Sequence, residues 1–292
     1  IVLIVLLVGG IALSPQPRGP RAIRDRLGAR WITSALVWAI AVSAFLIGLS
    51  RLEAPTPAGL VLTLGSLIIV ATLLMAPARS PIALLDSRVS RGSAIVLVNT
   101  TSALVGFVTF CFTVFMALRV VSRIDEGGFG LSYTTGALVV APMSVAMVLS
   151  TQLSSLLLRR YSEHALILIG LAGTAAGSVW LALSGRSIVE VVVIGFMIGM
   201  GAGFSFVGMP LAAIAVVPAA VSSQAATVNG LSQVLGSSTA AVVVALTLQF
   251  TAFYSQQILG ALMTVCSLVA AALIIRLIRK GPHSPATLTP SV

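Results

Sequence analysis

The hydrophobic residues of this chain form long blocks that contain no Asp, Glu, Lys or Arg. These blocks cover 1–17, 31–50, 54–78, 92–118, 127–158, 165–185 and 191–275. A helix needs about 20 apolar residues to cross the hydrocarbon core of a bilayer. The last block is long enough for three crossings, because polar residues divide it at 218–224 and 254–257. The pattern therefore predicts nine helices, at 1–13, 31–50, 59–76, 94–118, 131–158, 164–184, 189–217, 224–252 and 257–277.

The first predicted helix is too short to span a membrane. The sequence begins at Ile1 and has neither the basic segment nor the small-residue cleavage site of a secretory signal peptide. We therefore expect 1–13 to be the end of a helix that begins upstream, and we interpret the sequence as a fragment.

The composition agrees with a polytopic membrane protein of the all-α class. Hydrophobic residues make up 58% of the chain and charged residues only 8%, with a mean hydropathy of +1.11. A soluble domain carries roughly 25% charged residues, and a disordered chain is more polar still. Both classes are excluded.

The basic residues are distributed unevenly between the two sides that alternating spans define. Only Arg51, Arg119, Arg123 and Arg186 fall on one side, and the other thirteen of the 17 Lys and Arg residues fall on the opposite side. Cytoplasmic loops carry this excess. We therefore predict a multi-pass protein of the cell (cytoplasmic or inner) membrane with a cytoplasmic C-terminus. The net charge of +10 then reflects topology, and we expect the lipid bilayer and no nucleic acid as a partner.

Polar side chains form a stripe on the helix predicted at 224–252. Asn229, Gln233 and Ser237 are spaced four residues apart, so they share one helical face. Amides that face lipid lack hydrogen-bond partners, so this face points to protein or to a water-filled cavity. An interhelical hydrogen bond and a substrate-cavity role both remain open for these residues.

Small residues form a second stripe, on the helix predicted at 189–217. Gly195, Gly199 and Gly203 recur every four residues, which allows a neighbouring helix to approach closely. We predict a packing surface here, and glycines of this kind also allow helices to bend or slide.

Aromatic and Met side chains accompany these stripes. Such side chains form adaptable apolar walls that suit lipophilic cations, although in membrane helices they also face lipid or neighbouring helices. Together with the polar residues they complete the substrate-cavity candidates: Asn99, Phe107, Phe110, Met116, Met200, Phe204, Asn229 and Gln233.

The seven acidic residues all lie in predicted loops or at helix ends. Glu190 comes closest to a membrane interior, and we expect it to be a solvated interfacial acid near Arg186. Sequence patterns of hydrolases, nucleotide-binding loops and metal sites are absent. We therefore expect a protein that is not an enzyme and that needs no cofactor or metal.

Short motifs in a fixed order resemble one known family. Asp25 to Ala29 is similar to an Asp-x-x-Gly-Ala motif, and Leu85 to Arg91 to Leu-Asp-x-Arg-x-x-Arg. Ser132, Gly136 and Pro142 match a Ser-x-x-x-Gly-x-x-x-x-x-Pro pattern. Further matches are Gly199 to Gly203, Pro210, Val217-Pro218 and Leu235-Gly236. With these, the sequence resembles the fourteen-helix drug:proton antiporters of the major facilitator superfamily.

The sequence departs from this family at two places. Arg159, Arg160 and His164 belong to a loop where the superfamily has Asp-Arg-x-Gly-x-Arg, and only Arg160 matches. Gln233 stands where the family often has Arg.

The resemblance implies a domain organisation in which 1–13 ends the N-terminal bundle and 31–76 is an inserted hairpin. Segments 14–30 and 77–93 would be cytoplasmic linkers, 94–278 the C-terminal six-helix bundle, and 279–292 a cytoplasmic tail. Gly136, Pro142, Gly195, Gly199, Gly203, Pro210 and Gly236 would serve helix packing and conformational change.

The function implied is proton-coupled efflux of drugs or other lipophilic or cationic compounds by alternating access. The proton gradient would drive it, and the N-terminal six-helix bundle of the same polypeptide would hold the proton-carrying carboxylate. Two alternatives stay open: export of an endogenous metabolite or antibiotic, and a polytopic membrane scaffold or enzyme that transports nothing.

Overall fold

The structure is a computed structural model that describes residues 93–279 except Arg186, Ala252 and Phe253. The spans predicted at 1–13, 31–50 and 59–76 lie outside the described residues. So do both linkers and the tail, apart from Ser93 and Arg279 at their edges.

The described part of the chain consists of helices, with no strand. Six of these helices are long and apolar enough to cross a membrane, which indicates a multi-pass membrane protein and confirms the all-helical prediction for this region. They are α1 (Ser93–Val121), α2 (Tyr133–Leu157), α3 (Glu163–Leu183), α4 (Ile188–Ala215), α5 (Ser222–Thr251) and α6 (Ser255–Arg279).

Serine side chains begin three of the helices. The Oγ atoms of Ser132, Ser162 and Ser187 accept hydrogen bonds from backbone N–H groups in the first turns of α2, α3 and α4. The first N–H groups of a helix have no partner within the helix, so such caps allow it to start near an apolar environment.

Two short breaks divide the long apolar block next to its two polar segments, whose later residues form the first turns of α5 and α6. Pro218 has no N–H and restricts the residue before it, and α4 ends at Ala215 with a 3₁₀ turn at Ala219–Val221 before α5. The second break separates Thr251 from Ser255.

The helix pairing follows a repeating scheme. The most extensive contacts join α1 to α5, α3 to α4, α2 to α4 and α3 to α6, followed by α1 to α6. If α1–α3 is exchanged with α4–α6, the α1–α5 pair becomes α4–α2 and the α3–α4 pair becomes α6–α1. Each major pair thus has a counterpart, and the α3–α6 pair is its own counterpart, so α1–α3 and α4–α6 follow the same pairing scheme.

The core consists of two apolar clusters stacked along the bundle. One surrounds Phe112, Phe115 and Met116 in the second half of α1, and the other surrounds Ile95 in its first half and Ile274 in α6. Large apolar side chains also cover the outside, including many on α2 and α6. Soluble monomers rarely expose apolar patches of that extent.

Candidate functional site

A buried cluster of polar side chains lies between α1 and α5. Asn229 on α5 is only 1% exposed, and its Nδ2 donates to Ser102 Oγ at 2.6 Å and to Asn99 Oδ1 at 3.3 Å. Asn229 Oδ1 is buried and has no hydrogen-bond partner among the described residues. Leaving such an acceptor unpaired costs about 1–3 kcal/mol. We call Asn99, Ser102 and Asn229 the amide cluster.

Two glycines allow α1 and α5 to approach closely beside the amide cluster. A Cβ atom on Gly106 would overlap the backbone carbonyl of Gln233, and one on Gly236 would overlap that of Ala103. Ser237 Oγ also donates to Gly106 O at 3.2 Å across the same contact. Small residues at an interface permit this proximity in lipid, and the proximity brings Asn229 within reach of Asn99.

The predicted polar stripe on α5 therefore divides into two kinds of residue. Asn229 and Ser237 make hydrogen bonds to α1. Gln233 packs its side chain beside Gly106 and remains partly exposed, and its amide makes no hydrogen bond within residues 93–279 as described. Gln233 is thus the member of the stripe whose amide is available to a further partner.

The aromatic and Met candidates occupy different surroundings. Phe107 and Met116 are buried in the apolar cluster around Phe112, and Phe204 is also buried. Phe110 lies 42% exposed on α1, and Met200 is partly exposed on α4. Of these five residues, Phe110 and Met200 are the ones with surface accessible in the described bundle.

The glycine stripe of α4 lies against α1 and α2. A Cβ on Gly195 would come within 3.3 Å of the Phe112 ring, one on Gly199 would overlap the carbonyl of Met143, and one on Gly203 would overlap Ser150 Oγ. The structure thus places all three glycines in tight helix contacts.

The other packing candidates lie at three further positions. Gly136 faces Val120 of α1, where an added Cβ would come within 2.9 Å. Pro142 lies inside α2 and Pro210 inside α4. Proline lacks an N–H group, so each of these helices loses one backbone hydrogen bond there.

A second glycine contact, which the sequence reasoning missed, joins α3 to the opposite side of α4. Gly170 and Gly201 face each other so closely that a Cβ on either would meet the carbonyl of the other. Gly173 and Gly177 continue the same face of α3, with the spacing expected for one side of a helix. That spacing was the available signal in the sequence.

Glu190 serves as a structural residue at the start of α4. Its Oε2 accepts from Gly185 N at 2.8 Å and Ser184 Oγ at 3.0 Å, and it forms a capping box with Ser187. Gln256 links α6 to the end of α3 and the loop after it, because its side-chain Nε2 donates hydrogen bonds to the carbonyls of Leu181 and Ser184. The carboxylate is half-buried in this loop, and Arg186, the neighbour expected from the sequence, lies outside the described residues.

Two of the predicted loop-motif residues, Arg159 and Arg160, lie between α2 and α3, and the third, His164, lies in the first turn of α3. Arg159 and Arg160 are exposed and form no ion pair within the described part of the chain. His164 Nδ1 lies 3.4 Å from Glu163 Oε1 in the first turn of α3. The described contacts of this loop are thus local, to the last turn of α2 and the first turn of α3.

The carboxylates that the structure describes all lie at helix ends or in loops. They are Asp125, Glu163 and Glu190. Among the described residues no group of three or more His, Cys, Asp or Glu side chains is placed to hold a metal ion. The polar chemistry inside this part of the bundle therefore comes from neutral amides and hydroxyls.

Comparison of the chain with protein-family models and with curated proteins gives no match.

Proposed function

We propose that this chain is part of a secondary active transporter that moves small molecules across a membrane by alternating access. The observation that carries the proposal is the repeated helix pairing, in which α1–α3 and α4–α6 follow the same scheme of contacts. A unit of three spans crosses the membrane an odd number of times, so the second unit enters from the opposite side. Many secondary transporters are built from such inverted repeats.

The amide cluster supports the same function class. Polar groups inside membrane bundles are costly, and they commonly mark substrate or ion pathways. Asn99 and Asn229 lie in membrane-spanning helices that contain no Asp or Glu. One buried oxygen of the cluster has no partner among the described residues.

The transported compounds are, in this proposal, drugs or other lipophilic or cationic molecules, and a proton gradient drives their efflux. The accessible candidates Phe110, Met200, Gln233 and Asn99 would contact the substrate. Because the described carboxylates serve helix ends and loops, the proton carrier would lie in the N-terminal bundle of the same polypeptide. The excess of arginines in alternate loops supports a cytoplasmic C-terminus.

Reconstitution of the complete polypeptide in liposomes tests this proposal. A pH gradient across the liposome membrane is expected to drive accumulation of a fluorescent lipophilic cation such as rhodamine 123, and a protonophore is expected to abolish it. Empty liposomes control for passive distribution of the dye. Transport that persists with the protonophore would refute proton coupling, and no transport of any cation would refute the proposed function.

A further inference from the structure

The amide cluster has one unused hydrogen-bonding capacity. The carboxamide of Asn229 carries two N–H groups, and its contacts to Ser102 and Asn99 use the nitrogen as the donor in both cases. Oδ1, the acceptor of the same group, is buried without a partner among the described residues. Buried polar atoms in native proteins nearly always have a partner, so an unpaired one calls for a water or ligand.

The cluster has an accessible side. Asn229 is fully enclosed, whereas Asn99 is only partly buried and Thr100 beside it is exposed. Asn99 lies six residues after the start of α1 and Asn229 seven after the start of α5, a depth of about 10 Å at the rise of a helix. The cluster therefore meets the surface of the bundle at Asn99 and Thr100, and Asn229 lies behind Asn99, to which its Nδ2 is hydrogen-bonded.

The electrostatic character of the cluster defines what it can bind. Neither α1 up to Leu118 nor α5 contains an ionisable Asp, Glu, Lys or Arg residue. The cluster thus offers dipoles and no net charge, and the unpaired atom is a carbonyl oxygen. Such an oxygen accepts a hydrogen bond from an N–H or O–H group, and a molecule that lacks such a group leaves it without a hydrogen-bond partner.

We propose that Asn229, reached through Asn99, is a substrate subsite that accepts a hydrogen bond from an N–H or O–H group of the transported molecule. This inference rests on the proposed transport function and names the substrate class. Compounds with a donor bind in preference to analogues of the same charge and shape in which the donor is methylated. Methylation leaves the buried oxygen unpaired, which is what a site built to hydrogen-bond its ligand rejects.

Two dyes provide a matched pair of probes. Rhodamine 123 and tetramethylrhodamine methyl ester are both monovalent lipophilic cations, and only the first has N–H groups. Binding of each dye to the purified complete polypeptide is measured by fluorescence anisotropy, and transport of each dye is measured in liposomes. One hydrogen bond to a cationic donor corresponds to a preference of about tenfold for rhodamine 123.

The variant Asn229→Leu removes the oxygen and keeps the side-chain size similar. It is expected to weaken rhodamine 123 binding about tenfold while leaving tetramethylrhodamine methyl ester unchanged. Thr239→Ala is the control, because Thr239 is exposed on the same helix and its hydroxyl bonds only to the carbonyl of Leu235. If Asn229→Leu does not fold, Asn99→Ala is the second variant, with the same selective loss expected.

The outcomes test two claims separately, namely the substrate subsite at Asn229 and the transport function. Equal binding of the two dyes to the wild type, or an equal loss of both in Asn229→Leu, overturns the subsite and leaves Asn229 as a link between helices. A dye preference in binding without transport of either dye supports the subsite and refutes the transport function. Transport of both dyes without preference refutes the subsite alone, and failure to bind either dye refutes the subsite directly.

Discussion

The contact between α1 and α5 permits a sharp test at Gly236. A Cβ atom added there would overlap the backbone carbonyl of Ala103, and its next neighbours are the carbonyl carbon and the Cα of the same residue. Backbone atoms of a packed helix cannot rotate aside as the end of a flexible side chain can. The variant Gly236→Ala must therefore push the two helices apart.

The cost follows from what the helices lose on separation. Overpacking a tight contact costs about 1–3 kcal/mol, and the shift also stretches the 2.6 Å bond from Asn229 to Ser102. Gly230 lies on the same helix with no atom within 4 Å of an added Cβ. Gly230→Ala is thus the matched control, and the higher helix propensity of Ala predicts a neutral to slightly stabilising effect of at most about 1 kcal/mol.

The assay is unfolding of the complete polypeptide in mixed detergent micelles, followed by fluorescence as the denaturing detergent is increased. We expect the free energy of unfolding of Gly236→Ala to fall by about 1–3 kcal/mol relative to wild type, with Gly230→Ala unchanged or slightly higher. Equal stability of the two variants would refute the claim that the α1–α5 contact is limited by the backbone at Gly236.

Three further predictions concern other contacts. Gly201→Ala is expected to lower the free energy of unfolding by about 1–3 kcal/mol because its Cβ would meet the carbonyl of Gly170. Gly173→Ala is the control, and it should lower the free energy of unfolding less, because an added Cβ there makes an ordinary contact of 3.5 Å. Gln256→Leu removes one hydrogen bond to the last turn of α3 and one to Ser184 in the loop that follows, so hydrogen exchange at Gly185 should accelerate severalfold; unchanged exchange would contradict that role. Glu190→Ala should cost about 1–2 kcal/mol as a lost cap and leave the pH dependence of transport unaltered; a shifted pH profile would instead make Glu190 a proton carrier.

The helices themselves could be predicted from local information. Long stretches without charge determine the spans, and Pro218 with its polar neighbours determines the break between α4 and α5. Both features can be predicted because they depend only on residues adjacent in the sequence. The observed bounds of α1 to α6 lie within three residues of the predicted ones. The glycines at 195, 199 and 203 were likewise recognisable as a packing face, since their spacing depends only on the helical period.

The amide cluster was only partly accessible to such reasoning. The face shared by Asn229, Gln233 and Ser237 follows from helical geometry, but the helix opposite that face does not. The partner is decided by Gly106, more than one hundred residues away in the sequence, whose missing side chain lets α5 come close enough for Asn229 to reach Ser102. The structural role of Glu190 could not be predicted from the sequence either, because its hydrogen bonds depend on the conformation of the α3–α4 loop.

The sequence by itself thus determined that the region described here is helical, how many spans it contains and which loops carry the positive charge. These properties depend on the hydropathy and charge of consecutive residues, and the bilayer acts on them directly. Only the tertiary structure decided that α1 pairs with α5 as α4 pairs with α2, and that one buried oxygen of Asn229 is left without a partner among the described residues. Helix pairing depends on the shapes of whole surfaces meeting across the bundle, which no single helix contains.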